Sequence, residues 1–75
     1  MEVILPIFAE RLKTLRKENK ITQKSMATLL DKTERHYQAI EAGAVNVSAT
    51  MLIFLSQYFH VSVDYLLGLR DERER

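Results

Sequence analysis

The stretch Ile21 to Gly43, ITQKSMATLLDKTERHYQAIEAG, constrains this chain most. It reads as a short helix, a tight turn and a second short helix. Thr22 suits the N-cap of the first, about Gln23 to Leu30, because its hydroxyl accepts a backbone N–H that a first helical turn leaves orphaned. Met26, Leu29 and Leu30 supply apolar contacts there, and Ala27 keeps one face small enough for another helix to approach. Asp31-Lys32 breaks the helix. Thr33 caps the next, about Glu34 to Ala42, and Gly43 offers the left-handed stop that glycine favours. Two helices this short and this tightly joined cross steeply, and neither is stable alone. They need a third packing surface.

The flanking sequence supplies it. A first helix is expected from about Pro6 to Asn19, with Pro6 at a first position where its missing N–H costs nothing. Phe8, Leu12 and Leu15 fall at i, i+4 and i+7, the spacing of one buried stripe. Ser48 caps a fourth helix, about Ala49 to Phe59, with Leu52, Leu55 and Phe59 at helical spacing. His60-Val61 breaks it. Ser62 caps a short fifth helix through Leu67, with Asp64 near its positive N-terminus, and Gly68 closes it. The fold class expected is therefore all-α: five helices in one domain over residues 1–69. The all-charged tail RDERER, residues 70–75, is expected to fray.

Size and composition close off other classes. Seventy-five residues make one domain. At 47% hydrophobic and 28% charged residues the chain is globular rather than disordered. The absence of cysteine removes disulfides and thiolate metal sites, which fits a reducing cytoplasm. The opening MEVILPIF is acidic at its start and lacks a basic leader, so it does not read as a signal peptide. No apolar run approaches the roughly 18 residues of a membrane span. His36 and His60 are the only histidines, and no cluster has metal-ligand spacing. No phosphate-cradling glycine loop and no nucleophile–base arrangement is visible. Neither cofactor, metal nor enzymatic activity is expected.

The net charge of +1 says little, but its distribution says more. Between Arg11 and Arg35 lie eight basic residues (Arg11, Lys13, Arg16, Lys17, Lys20, Lys24, Lys32 and Arg35) against Glu18, Asp31 and Glu34. Acidic residues collect later, in Asp64, Asp71, Glu72 and Glu74. A local basic surface attracts phosphate even when the total is near neutral; the alternative is an ordinary solvated helix face.

The ordered set of features resembles the phage repressor and Cro-type (XRE-like) helix-turn-helix domains over about Glu10 to Leu67, nearly the whole chain. ERLKTLRKENKITQ resembles that family's first helix and the Thr-Gln that opens its second. Ala27 falls on its small helix-two residue, and Thr33 on its recognition-helix cap. Ile40-Glu41-x-Gly43 resembles its Ile-Glu-x-Gly ending, and Val61-Ser62-x-Asp64-x-Leu66 its final helix. The resemblance implies a compact five-helix, lambda-repressor-like fold with a central helix-turn-helix that binds double-stranded DNA.

It further implies that the third helix is the recognition helix, its N-terminal half in the major groove. The outward residues there are Thr33, Glu34, Arg35 and Gln38, with Ala39 at the floor. Arg35 suits guanine O6 and N7, Gln38 adenine N6 and N7, Glu34 cytosine N4, and Ala39 a thymine methyl. Each is otherwise a solvated helix residue. Thr22, Gln23 and the N-terminus of the second helix match a phosphate grip, flanked by Lys24 and Lys32. His36 is either a phosphate contact or simply exposed. Tyr37 stands where the family packs an aliphatic residue: its ring is expected inside, its hydroxyl at the rim toward phosphate. Arg16 and Glu41 match an internal salt bridge of related repressors, a structural role.

The chain departs from the family at Asp31, commonly glycine, and at Ala44-Val45-Asn46-Val47, where the family often carries a basic residue and then proline. Asn46 is the only polar phosphate candidate left there. The reading is a sequence-specific transcriptional regulator, a homodimeric repressor, with dimer contacts expected from the fifth helix and the residues after it: of Val63, Tyr65, Leu66, Leu67 and Leu69, which otherwise cap the monomer core, Leu66 is read as core and Tyr65 and Leu69 are left open. The alternative is a protein-interaction module, antitoxin-like or an adaptor, that uses the same fold with weak DNA binding and for which the apolar loop Ala44 to Val47 speaks.

Overall fold

A computed structural model describes residues 6–74. The expectations placed on Met1 to Leu5 and on Arg75 lie outside the described residues. Five helices follow in order: α1 (Pro6–Glu18), α2 (Gln23–Leu29), α3 (Glu34–Glu41), α4 (Ala49–Phe59) and α5 (Val63–Leu66). Among the described residues there is no strand, and no helix is long and apolar enough to cross a membrane.

The helix starts follow from local chemistry. Thr22, Thr33, Ser48 and Ser62 each adopt extended backbone, and each side chain accepts the N–H three residues on, from Ser25, His36, Met51 and Tyr65. These hydroxyls satisfy donors that the first turns leave open. Helix ends fall within one residue of the sequence expectation.

The stops share one device. Lys20, Asp31, Gly43, His60 and Gly68 all have φ between 57° and 80°. Beyond each, the next amide reaches back to a carbonyl of the last turn: Ile21 to Arg16, Lys32 to Ala27, Ala44 to Ala39, Val61 to Ser56 and Leu69 to Asp64, at 2.8–3.1 Å. This is the Schellman closure, which satisfies carbonyls that a helix end orphans. Three of the five residues in the left-handed position are not glycine. Asp31 was the departure visible in the sequence; Lys20 and His60 adopt the same conformation without any such signal.

The core forms between α1 and the rest. Phe8, Leu12 and Leu15 of α1 meet Met26 and Ala27 of α2, Tyr37 and Ile40 of α3, Leu55 of α4, and Val61, Tyr65 and Leu66 near α5. Helix α3 packs on α2 and α1, and α5 on α4 and α1. So α1 is the third surface that the two short helices require. It holds α3 by one face only, leaving the other to solvent.

The charged tail lies against the body rather than free of it. Arg73 donates to both Glu18 carboxylate oxygens at 2.8 Å and to the Tyr65 hydroxyl at 3.2 Å. Its carbonyl accepts the Ser62 N–H at 2.7 Å. Arg11 donates to the carbonyls of Tyr65 and Arg70 and to Asp71. Tyr65 thus carries two guanidinium groups over its ring, Arg11 at 4.3 Å and Arg73 at 5.4 Å from the centroid, an arrangement favoured by the ring's negative face.

Candidate nucleic-acid interface

Helix α3 has two sides with different chemistry. Its inner side is Tyr37 and Ile40, at 0% and 1% exposure, with Glu41 one turn beyond Tyr37. Its outer side is Glu34, Arg35 and Gln38, all exposed, preceded by exposed Thr33 and followed by half-buried Ala39. Among these outer residues only Gln38 has a side-chain partner: its Nε2 donates to Gln23 Oε1 at 3.4 Å, at the limit of a hydrogen bond. Among the described residues the guanidinium of Arg35 makes no ion pair or hydrogen bond.

The inner side is fastened by one carboxylate. Glu41 receives Arg16 from α1 through two guanidinium nitrogens, Gln23 from α2 through Nε2 at 3.2 Å, and the Tyr37 hydroxyl from its own helix. The Glu41 side chain is only 4% exposed. Burial alone would raise its carboxyl pKa, but the hydrogen bonds from Arg16, Tyr37 and Gln23 outweigh burial and hold it below the ordinary 4.5. The same hydrogen bond to Glu41 raises the Arg16 pKa. Burial first, then the bond to Glu41, push the Tyr37 phenol well above its ordinary range. Arg16 also donates to the Ile21 carbonyl at 2.9 Å, so the guanidinium closes α1 as well. Among the described residues no buried side-chain polar atom lacks a partner.

This geometry corrects one expectation. The Tyr37 hydroxyl does not stand at the rim facing phosphate; it is buried and spends its proton on Glu41. An aromatic residue fits here because the phenol finds an acceptor where an aliphatic side chain would need none. A signal existed in the sequence: Tyr37 and Glu41 are four apart, on neighbouring turns of one helix face.

The other expected contact residues divide into engaged and free. The Thr22 hydroxyl accepts the Ser25 N–H and donates to Ser25 Oγ, so that hydroxyl is committed to the cap. Gln23 is half-buried between Glu41 and Gln38. Lys24, Lys32, His36 and Asn46 are exposed. The basic tract is thinner than its sequence count, since Arg11 holds the tail and Arg16 holds Glu41. That internal use of Arg11 was not legible, because its partners lie more than 50 residues away. Among the described residues no three His, Asp or Glu side chains gather as a metal site.

Two short helices crossing at a tight turn, the second locked from within and bare outside, define a helix-turn-helix domain. Residues 12–66 match the helix-turn-helix family, and the chain belongs to it. Two curated relatives come from Bacillus subtilis (strain 168). One is an uncharacterized HTH-type transcriptional regulator, YobD, 33% identical over 66 residues, which are 88% of this chain and 59% of that protein. The other is an uncharacterized HTH-type transcriptional regulator, YqaE, 43% identical over 61 residues, 81% of this chain and 53% of that protein. The chain thus spans between half and six-tenths of the length of these relatives.

Proposed function

We propose that the chain is a sequence-specific DNA-binding regulator of transcription in the cytoplasm, acting as a homodimer that inserts α3 into the major groove. The observation behind this reading is the division of α3: Glu34, Arg35 and Gln38 are exposed while Tyr37, Ile40 and Glu41 fix the helix from inside. A helix held rigidly with long polar side chains facing outward is what direct base reading requires. Arg35 would take guanine, Gln38 adenine, Glu34 cytosine and Ala39 a thymine methyl, with Thr33 at the helix start. Gln23, Lys24, Lys32, His36 and Asn46 would contact phosphates, and the amides at the start of α2, below the Thr22 cap, would join them. A dimer would set two such helices about 34 Å apart on a near-palindromic site. Occupying an operator and blocking polymerase is the simplest action, hence a repressor. The two regulators it resembles support the reading.

One observation favours a second reading, a protein-interaction module. From His36 to Leu69 the sequence has no lysine or arginine, so the loop after α3 brings no cation to a phosphate.

Selection of bound duplexes from a random library at near-physiological salt tests the two. The native chain should enrich a palindromic motif that a folded Arg35→Ala, Gln38→Ala double variant loses. Binding should also weaken steeply as salt rises, because phosphate contacts release counterions. Enrichment of nothing by the native chain would favour the interaction module.

A further inference from the structure

Most of the apolar surface expected of the fifth helix is consumed inside one chain, although Leu69 just beyond it is 71% exposed. Leu66 is fully buried, Tyr65 lies beneath Arg11 and Arg73, and Val63 and Leu67 are half-buried. Among the described residues, the exposed large apolar side chains that share one helix are Ile53, Phe54 and Tyr58 of α4. Thr50, Ile53, Phe54, Gln57 and Tyr58 are all exposed, at the i, i+3, i+4, i+7, i+8 spacing of a single stripe. Ile53 is 53% exposed and Tyr58 43%. The Phe54 and Tyr58 rings stack one turn apart, centroids 5.8 Å. Beside this ridge is a groove of about 320 Å³ between Leu29, Leu30, Lys32, Met51 and Phe54. Among the described residues, α5 is the one helix on which α4 packs extensively.

We propose that this stripe is the contact between two copies of the chain, α4 meeting α4 about a two-fold axis. The charge pattern selects the occupant. Not one Asp, Glu, Lys or Arg stands between Glu41 and Asp64, in a chain that is 28% charged. Along α4 itself DNA finds no cation, and a strongly acidic or basic partner finds no counter-charge; Lys32 stands only at the groove's edge. A two-fold contact sets the same patch on both sides, so any charge at its centre faces its own like. A neutral aromatic ridge avoids that repulsion. A ridge with a groove beside it also gives each copy something to insert and something to receive. At the groove's rim Asp31 and Lys32 are adjacent and opposite in sign, so the rim is not a field of one sign. The biological use of such a dimer rests on the DNA-binding reading; the contact itself does not.

The test uses the full chain without DNA. Sedimentation velocity over a wide concentration range should show a dimer, and Ile53→Glu and Tyr58→Glu should each weaken it at least 100-fold while the helical circular dichroism stays unchanged. Because the native chain has no cysteine, Gln57→Cys and Leu69→Cys each carry a single thiol. A short bis-maleimide should link Gln57→Cys into dimers and leave Leu69→Cys monomeric, which keeps the test alive if a glutamate variant unfolds. A native chain that stays monomeric throughout, a dimer indifferent to Ile53→Glu, or linking at Leu69 but not at Gln57 would overturn the proposal. A dimer with these properties whose library selection enriches no motif would instead count against the DNA reading alone.

Discussion

The hydroxyl of Tyr37 donates to the carboxylate of Glu41 one turn further along α3, and that carboxylate also receives Arg16 from α1 and Gln23 from α2. Three helices therefore meet at one nearly buried anion. Removing one partner of such a pair leaves a buried charge uncompensated, which costs about 3–5 kcal/mol.

Arg16→Ala should accordingly lower the urea midpoint sharply, and Tyr37→Phe, which keeps the ring, should cost only about 1 kcal/mol. Acid should act through the same group. The folded pKa of Glu41 lies below the ordinary 4.5, so its contribution is complete above that value and disappears as pH falls through the lower folded value. Glu18, held by Arg73, also has a lowered pKa and adds to the acid sensitivity. The specific prediction is therefore a difference: Glu41→Gln should be less stable than the native chain near neutrality and should lose less on acidification. Parallel curves for the two proteins would remove Glu41 from the acid response.

Arg35→Ala should relax specificity at a single base pair and cost about 1–3 kcal/mol there. Gln23→Ala should weaken all duplexes similarly. Competition titrations against singly substituted sites separate the two. An unchanged preference in Arg35→Ala would take that residue out of base reading.

Backbone handedness offers a check on stability alone. A side chain in the left-handed region costs about 1–2 kcal/mol, so His60→Gly and Lys20→Gly should raise the melting temperature, less the entropy that glycine adds to the unfolded chain. Gly68→Ala should do the reverse. Its φ is 80°, and a Cβ there would come within 2.8 Å of Ile7 Cγ2. Thermal melts of the three variants should split in sign, and stabilisation by Gly68→Ala would contradict the geometry.

The tail contacts predict an exchange pattern. The Ser62 amide is bonded to the Arg73 carbonyl rather than to a helix of its own. Arg73→Ala removes the clasp on Glu18 and Tyr65, and the Ser62 amide should then exchange faster while the α1 amides stay slow. Native-state hydrogen exchange reads this directly.

The parts of this fold that the sequence revealed are those decided within four residues. Each hydroxyl cap acts on an amide three positions away, so Thr22, Thr33, Ser48 and Ser62 could be read in place. The Phe8, Leu12 and Leu15 stripe follows from helical period alone. At Lys20 the left-handed stop was hidden because lysine does not favour that conformation; at His60 the break was legible but its handedness was not. The tail's contacts were hidden for a different reason. Its charges find Arg11, Glu18 and Tyr65, whose proximity exists only after α1 and α5 have packed. In the candidate interface, the exposed row on α3 followed from the positions of Thr33 and Gly43. The fate of the Tyr37 hydroxyl did not, since it depends on how deeply Glu41 is enclosed.

The two-sided construction of α3 also bears on how such a chain can change. Tyr37, Ile40 and Glu41 hold the helix, whereas the Glu34 and Arg35 side chains make no hydrogen bond or ion pair among the described residues. Substitutions at those outer positions leave the anchoring side untouched, so if α3 reads DNA as proposed, new binding preferences could arise in single steps at little cost to folding. Under that reading, a lineage built this way could diversify its targets while its scaffold stands still.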